Sequence, residues 1–248
     1  MRICHMTSAH PVKDVRIFYK ECQTLQEMGL EVFLLARSKQ SDSSGGIHIV
    51  GLHPIKNRLI RIVLYPWIIL LKAFQVNATV YHFHDPELLF IGLLLKLAGK
   101  KVIYDAHENV PLQVASKFYM IRPLRWFIAQ VVKIFEEMGV LVFDATIVAT
   151  ESIKKRFPPG YFHKIAVIRN FVDPGEIKPS PFQKKFKSIC YVGGISHNRG
   201  VDLLVKSVEG SDLTLKLAGK FHNEKYLKKI RRMKGWKNVN YLGVVNRE

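Results

Sequence analysis

"SICYVGGISHNRGVDLLVKSVEG", residues 188–210, reads as a short apolar strand, a glycine turn and then a helix. The chain opens in the same form. "RICHMTS" (2–8) is a strand ending in small polar residues, and "KDVRIFYKECQTLQEMG" (13–29) follows it. There Val15, Phe18, Tyr19, Cys22, Leu25 and Met28 recur at helical spacing, and Gly29 ends the run. Two such strand-to-helix starts, so far apart, predict two units of one architectural kind.

Between them the pattern alternates. "LEVFLLAR", "IHIVGL", "ATVYHFH", "KVIYDAH", "ATIVAT" and "KIAVIRN" read as strands, separated by helical stretches at 59–76, 86–100 and 122–139 and a short one at "ESIKKRF". "SKQSDSSGG" (38–46) reads as a flexible turn. Such alternation implies an α/β fold with parallel sheets covered on both faces. "DPGEIKPSPFQKKFK" (173–187), with three prolines and no period, is the expected linker. Residues 1–172 then form a Rossmann-like domain. Residues 188–248 begin a second one that reaches only its third strand, at "VNYLG" (239–243). Doubly wound units use about five or six strands, so the chain is expected to stop mid-domain.

Composition narrows the classes. The 248 residues are 48% hydrophobic and 23% charged, as in ordinary globular proteins. Three cysteines without CxxC spacing exclude a disulfide framework and fit a reducing compartment, each being expected as a small buried hydrophobe. No apolar signal core opens the chain, so a cytoplasmic location is expected. The net charge is +18, and residues 184–248 hold 15 Lys and Arg against 5 Asp and Glu. That excess draws anions. Aromatics are not interleaved with it as base-stacking platforms, so no nucleic-acid partner is expected. "LIRIVLYPWIILLKAFQV" (59–76) is interrupted by Pro66 and Lys72 and is too short to span a bilayer, which takes about 20 apolar residues. It and "RPLRWFIAQVVKIFEEMG" (122–139) are read as buried helices, with a helix lying on a membrane surface as the alternative.

Ligands of open α/β sheets bind where strands end and helices begin. Three polar clusters fall there: "MTSAH" (6–10), "HFHDPE" (82–87) and "YDAHENVP" (104–111). His82 and His84 share one strand face by the period of two. A metal would need further ligands, and none follows Asp85 at metallohydrolase spacing, so no metal site is expected. His82 reads as a hydrogen-bonded core residue, and His84 and Asp85 as cleft residues. His107 ends an apolar strand before Glu108 and Asn109, where it could bond a sugar hydroxyl or merely cap the turn. Gly193 and Gly194 let a ligand approach the backbone, and Arg199 stands where it could fork onto a diphosphate.

With these residues assembled, the chain resembles the family 4 glycosyltransferases of the two-domain GT-B type. The likeness rests on "HPVKDVRIFYKECQTLQEMGLEV", "YHFHDPELL", "KVIYDAHENVP", "IRNFVD" and "YVGGISHNRGVDLLVKSV", in order over nearly the whole chain. It implies a retaining, metal-independent transfer from a nucleotide-sugar donor to a glycan or lipid-linked acceptor in surface polysaccharide biosynthesis, without a cofactor. The first domain would take the acceptor, near His10 and His84, and the second the donor. By the same likeness His107 meets the transferred sugar beside Asp85 and Glu108. Gly193, Gly194 and Arg199 match the diphosphate loop, and Asn170 the crossing into the second domain. Many relatives carry an arginine where this chain has Gly194 and a lysine where it has Arg199. Two donor-binding glutamates eight positions apart would lie beyond Glu248. The 248 residues are therefore expected to have little activity alone, the alternative being a non-catalytic glycan- or partner-binding fragment of a degenerate transferase. Peripheral contact with the inner membrane face and self-association through the unfinished sheet are further expectations.

Overall fold

The structure, a computed structural model, describes residues 1–116, 120–172 and 187–245, with residues 58 and 59 described in their backbone only. The linker expected at 173–187 lies outside the described residues except for Lys187. Two compact units emerge, Met1–Val172 and Asp173–Glu248.

In the first unit β1 (Arg2–Pro11) leads to a π-helical segment, Val15–Cys22, continued by α1 (Gln23–Glu27), then β2 (Glu31–Arg37), β3 (Asp42–Ser44) and β4 (Ile47–Leu52). Next come α2 (Arg58–Val76), β5 (Val80–Phe83), α3 (Leu89–Leu97), β6 (Lys101–Ala106), α4 (Val110–Ala115) and α5 (Arg122–Val142). The unit closes with β7 (Ala145–Val148), α6 (Glu151–Lys154) and β8 (Ile165–Val167). The eight strands run β3-β4-β2-β1-β5-β6-β7-β8 and are parallel except for β3. The polar turn expected at 38–46 thus contains an edge strand, because backbone pairing of Asp42–Ser44 with β4 needs no apolar side chain.

Packing sorts by strand period. Cys4, Met6, Tyr81, Phe83 and Tyr104 face one way into a core shared with α2, α3 and α5. Ile17, Phe18 and Cys22 cover Val32, Leu34 and Ile49 on the other face. Glycines on α3 and α5 leave room for two aromatic rings. A Cβ on Gly92 would come within 2.6 Å of Phe83, and one on Gly139 within 2.6 Å of Phe143. The second face is not covered throughout. Ile3, His5, Val80, His82, Ile103 and Ile147 line a cavity of about 380 Å³ beside the π-helical segment.

Nor are α2 and α5 buried helices. Tyr65, Ile69 and Ala73 turn inward, whereas Val63, Trp67, Leu71 and Phe74 of α2 and Trp126 and Phe127 of α5 stand exposed. Apolar residues occupy both sides of these helices, and the sheet can bury only one.

The second unit has β9 (Ser188–Val192), α7 (Val201–Ser207), β10 (Thr214–Ala218), α8 (Glu224–Arg231) and β11 (Val239–Gly243). Its three described strands are parallel in the order β11-β10-β9. Val201, Val205, Leu215, Leu217 and Ile230 form its core. Cys4 and Cys22 are buried as expected, but Cys190 is exposed. It pairs in register with Lys216, which lies beside Asn240, on a polar sheet face turned from that core.

One buried charge was not legible in the sequence. Glu136 on α5 is fully buried, accepts the Tyr104 hydroxyl at 2.8 Å and pairs with both terminal nitrogens of Arg156. Removing the carboxylate strands a guanidinium in the interior. Glu136→Ala should therefore cost about 3–5 kcal/mol in urea unfolding, and adding Arg156→Ala should recover part of that loss. Additive losses would show the pair to be uncoupled.

Candidate functional site

The helix after β1 covers one face of the sheet and the helix after β5 the other. The chain therefore diverges between these neighbouring strands, and a crevice opens at their carboxyl ends. The parallel register sets His5 of β1 beside His82 of β5, and His82 beside Ile103 of β6. One step of the period further on, His84 and Asp105 face the same way.

Asp105 is the centre. It is 1% exposed, and Arg16 forks onto it, Nε donating to Oδ2 at 2.8 Å and Nη2 to Oδ1 at 3.0 Å. His84 Nδ1 lies 3.2 Å from Oδ2. Burial disfavours the charged carboxylate, but His107, His84 and Arg16 reverse this and hold it well below the usual carboxylate range. Arg16 also donates Nη1 to the carbonyl of Ile168 at 3.2 Å, just past β8.

His107 stands at the rim of a small cavity with His10, His84, Asp85, Asp105 and Glu108. Its Nδ1 is 3.7 Å from Asp105 Oδ2, too long for a hydrogen bond but close enough for attraction. Burial lowers its basicity, Asp105 and Glu108 raise it, and the balance lies above the ordinary histidine value. His10 meets it edge-on, with ring centroids 5.5 Å apart. Asp85 is 3% exposed. Its Oδ2 accepts from Thr7 Oγ1 at 2.6 Å and from the backbone of Ser8 at 2.7 Å and Ala9 at 3.3 Å, while Oδ1 lies 3.6 Å from His10 Nε2. Glu108 is exposed and accepts from Gln113 at 2.7 Å. Asn170, also exposed, accepts from Lys20 at 2.6 Å. So His10, His84, Asp85, His107 and Glu108 come together in one place.

His82 and His84 do not lack further partners. His5 from β1 and Glu21 from the π-helical segment join them, brought by strand register and helix packing that residue spacing cannot show. His82 is buried, but its Nε2 has no hydrogen-bond partner, contrary to the expected bonded core residue. Burial, then its histidine neighbours, holds His5 well below the ordinary value and His82 at about 3. Burial and the Asp105 charge push Glu21 up to about 9.

In the second unit Gly193 takes φ +150°, and its N–H donates to Ala218 at 3.0 Å. A Cβ on Gly219 would lie 1.8 Å from the Gly193 carbonyl oxygen, so both loop glycines are needed for this contact. Gly194 has open space where a side chain would be. Arg199 lies on a single turn, His197–Arg199, and is exposed.

Sequence reading missed Arg16, Asp105, Glu21 and His5. An aspartate within "KVIYDAH" was the available signal, since a charge inside an apolar strand must find a partner.

Asp14 caps the segment after β1, accepting from Arg16 N at 2.9 Å and Ile17 N at 3.1 Å, and its other oxygen lies 3.1 Å from His10 Nδ1. The His10 bond draws Asp14 down to about 2. The same bond, with Asp85 and Glu108, raises His10 above 6.5 against burial. The stabilisation from His10 is complete below 6.5 and is lost as pH rises through its raised value, while that from Asp14 is complete above 3.8 and is lost as pH falls from there through about 2. Asp14→Asn keeps a capping oxygen but should move the His10 titration downward in imidazole NMR. An unmoved midpoint would show that the pair does not form.

No curated protein matches the chain. The fold is that of the GT-B transferases. Sucrose-phosphate synthase from Thermosynechococcus elongatus matches at TM-score 0.75 and 13% identity, over 100% of this chain and 71% of that one. Anabaena Alr3699/HepE, in complex with UDP and glucose, matches at 0.68 and 12%, over 100% and 70%. The lipopolysaccharide outer core galactosyltransferase WaaB, in apo form, matches at 0.61 and 15%, over 99% and 69%. The family model described as Glycosyltransferase Family 4 matches residues 15–176, which hold His84, Asp85, Asp105, His107 and Asn170, and the chain belongs to that family.

Proposed function

We propose that this glycosyltransferase moves a sugar, with retention and with no metal at the donor diphosphate, from a nucleotide-sugar to a glycan or lipid-linked acceptor of surface polysaccharide. The observation that carries the reading is His107: half-open at a strand end, charge-supported by a buried aspartate and flanked by His10 and Glu108. UDP with glucose in HepE and the lipopolysaccharide role of WaaB support the donor and acceptor classes.

Each residue then has a task. Departure of the nucleotide diphosphate builds negative charge, and Arg199 with the Gly193–Gly194 backbone meets it. His107 contacts the transferred sugar. Glu108 positions the acceptor hydroxyl, and Asp85 acts through His10, which it faces. The acceptor oxygen bonds to the anomeric carbon on the face from which the diphosphate departs, and the departing phosphate takes the hydroxyl proton, so neither a side-chain nucleophile nor a side-chain base is assigned. Asn170 holds the end of the first unit through Lys20.

In a donor-competent enzyme carrying this chain, His107→Ala should lower kcat by about 10²-fold with a much smaller change in acceptor KM, measured by nucleotide release with a panel of nucleotide-sugars. Equal losses in both would make His107 a positioning residue, and undiminished turnover would remove it from the mechanism.

A lipid-linked acceptor places the enzyme at a membrane. No described helix is long and apolar enough to cross one. Instead α2, α3 and α5 pack side by side and expose Trp67, Leu71, Phe90, Trp126 and Phe127, with Arg122 and Lys133 exposed on α5. Aromatic and aliphatic groups beside cations suit an anionic headgroup layer. Co-sedimentation with phosphatidylglycerol vesicles, lost in Trp67→Glu/Trp126→Glu and weak with phosphatidylcholine, is expected. Equal sedimentation of the variant would place the contact elsewhere.

A further inference from the structure

We infer that His5, Glu21, His82 and His84 form a structural site for a divalent first-row transition ion, with Zn²⁺ the best match to the donors. The argument is geometric. Glu21 Oε2 lies 3.8 Å from His5 Nδ1, 3.9 Å from His82 Nδ1 and 3.7 Å from His84 Nε2. It is buried, and it hydrogen-bonds to none of them nor to anything else among the described residues. A carboxylate oxygen equidistant from three ring nitrogens, just beyond hydrogen-bond reach of each, suits a shared cation better than a proton network. Tetrahedral zinc with bonds of about 2.0–2.1 Å sets its ligand atoms about 3.3–3.4 Å apart. The fourth measured edge, His5 Nδ1 to His84 Nε2, is 3.1 Å, a hydrogen bond whose proton the ion would displace. All four donors lie within 4.8 Å of one another.

The surroundings agree at His84 and Glu21, while the second ring nitrogens of His5 and His82 have no partner among the described residues. A zinc-bound histidine ordinarily gives its other ring nitrogen to a carboxylate, and His84 Nδ1 faces Asp105 at 3.2 Å. The second oxygen of Glu21 forms an ion pair with Arg16, 3.1 Å from Nε, whose one hydrogen goes to Asp105. Three imidazoles and a carboxylate are a borderline-soft donor set that selects zinc over calcium or magnesium. Four protein ligands leave no position for substrate, so the ion would pin the π-helical segment to β1 and β5. Through His84 and Asp105 it would also fix the ground on which His107 stands. The neighbouring trio His84, Asp105 and His107 is the weaker set, because Arg16 already occupies both oxygens of Asp105.

The test is metal content and spectrum, independent of turnover. The full chain, purified without a histidine tag and dialysed against Zn²⁺-containing and then metal-free buffer, should retain one equivalent of zinc by elemental analysis. Cobalt(II) in its place should give the intense visible bands of a tetrahedral site, and a chelator should lower the melting temperature. Glu21→Gln and His82→Gln should lose the metal and the bands, with far-UV circular dichroism reporting their folding, whereas His107→Gln should keep both. Should His82→Gln fail to fold, Glu21→Gln and the wild-type stoichiometry still decide. Wild-type protein without zinc or cobalt bands overturns the site, as does binding that survives Glu21→Gln or disappears in His107→Gln.

Discussion

The first unit is organised around a carboxylate that water cannot reach. Asp105 sits in the sheet interior, where an unpaired charge would cost several kcal/mol, and three elements supply its partners: Arg16 from the helix after β1, His84 from the end of β5 and His107 from its own strand end. Arg16 reaches on to the carbonyl beyond β8. One charge thus ties together four strand ends. The fork geometry fixes Arg16 in two directions at once, so the π-helical turn that carries it is held in place. The widened turn also lets Arg16 and Glu21, five apart, meet at 3.1 Å.

This arrangement separates rigidity from access. The Thr7 hydroxyl and the Ser8 backbone both donate to Asp85, and the Ser8 hydroxyl donates to Glu87, closing the end of β1 against β5. His10, His107 and Glu108, one step further out, remain partly or fully open. A reacting group needs a fixed position and an approach path, and here the buried layer provides the first and the rim the second. The exposed apolar faces of α2 and α5 belong to a different demand. A sheet-packed helix buries one stripe, so the second apolar stripe of each stays exposed.

In the second unit the loop after β9 depends on two glycines meeting. The Gly193 carbonyl presses where a Gly219 side chain would be, and the loop then leaves the sheet with Gly194 unobstructed and Arg199 in solvent.

The amino-acid sequence by itself determined the alternation of strands and helices, the restart at "SICYVGG" and the gathering of His10, His84, Asp85 and His107 at strand ends. Each of these is written in local periodicity or in the rule that parallel strands bind ligands at their carboxyl ends. It did not reveal that Arg16 belongs to Asp105, 89 residues away, that Glu136 is a buried charge, or that His5 and Glu21 close on His82 and His84. Nor did it show which stripe of α2 turns outward. Those facts depend on register between strands and on which helix covers which face, and both arise from packing between residues distant in sequence, where no spacing rule reaches.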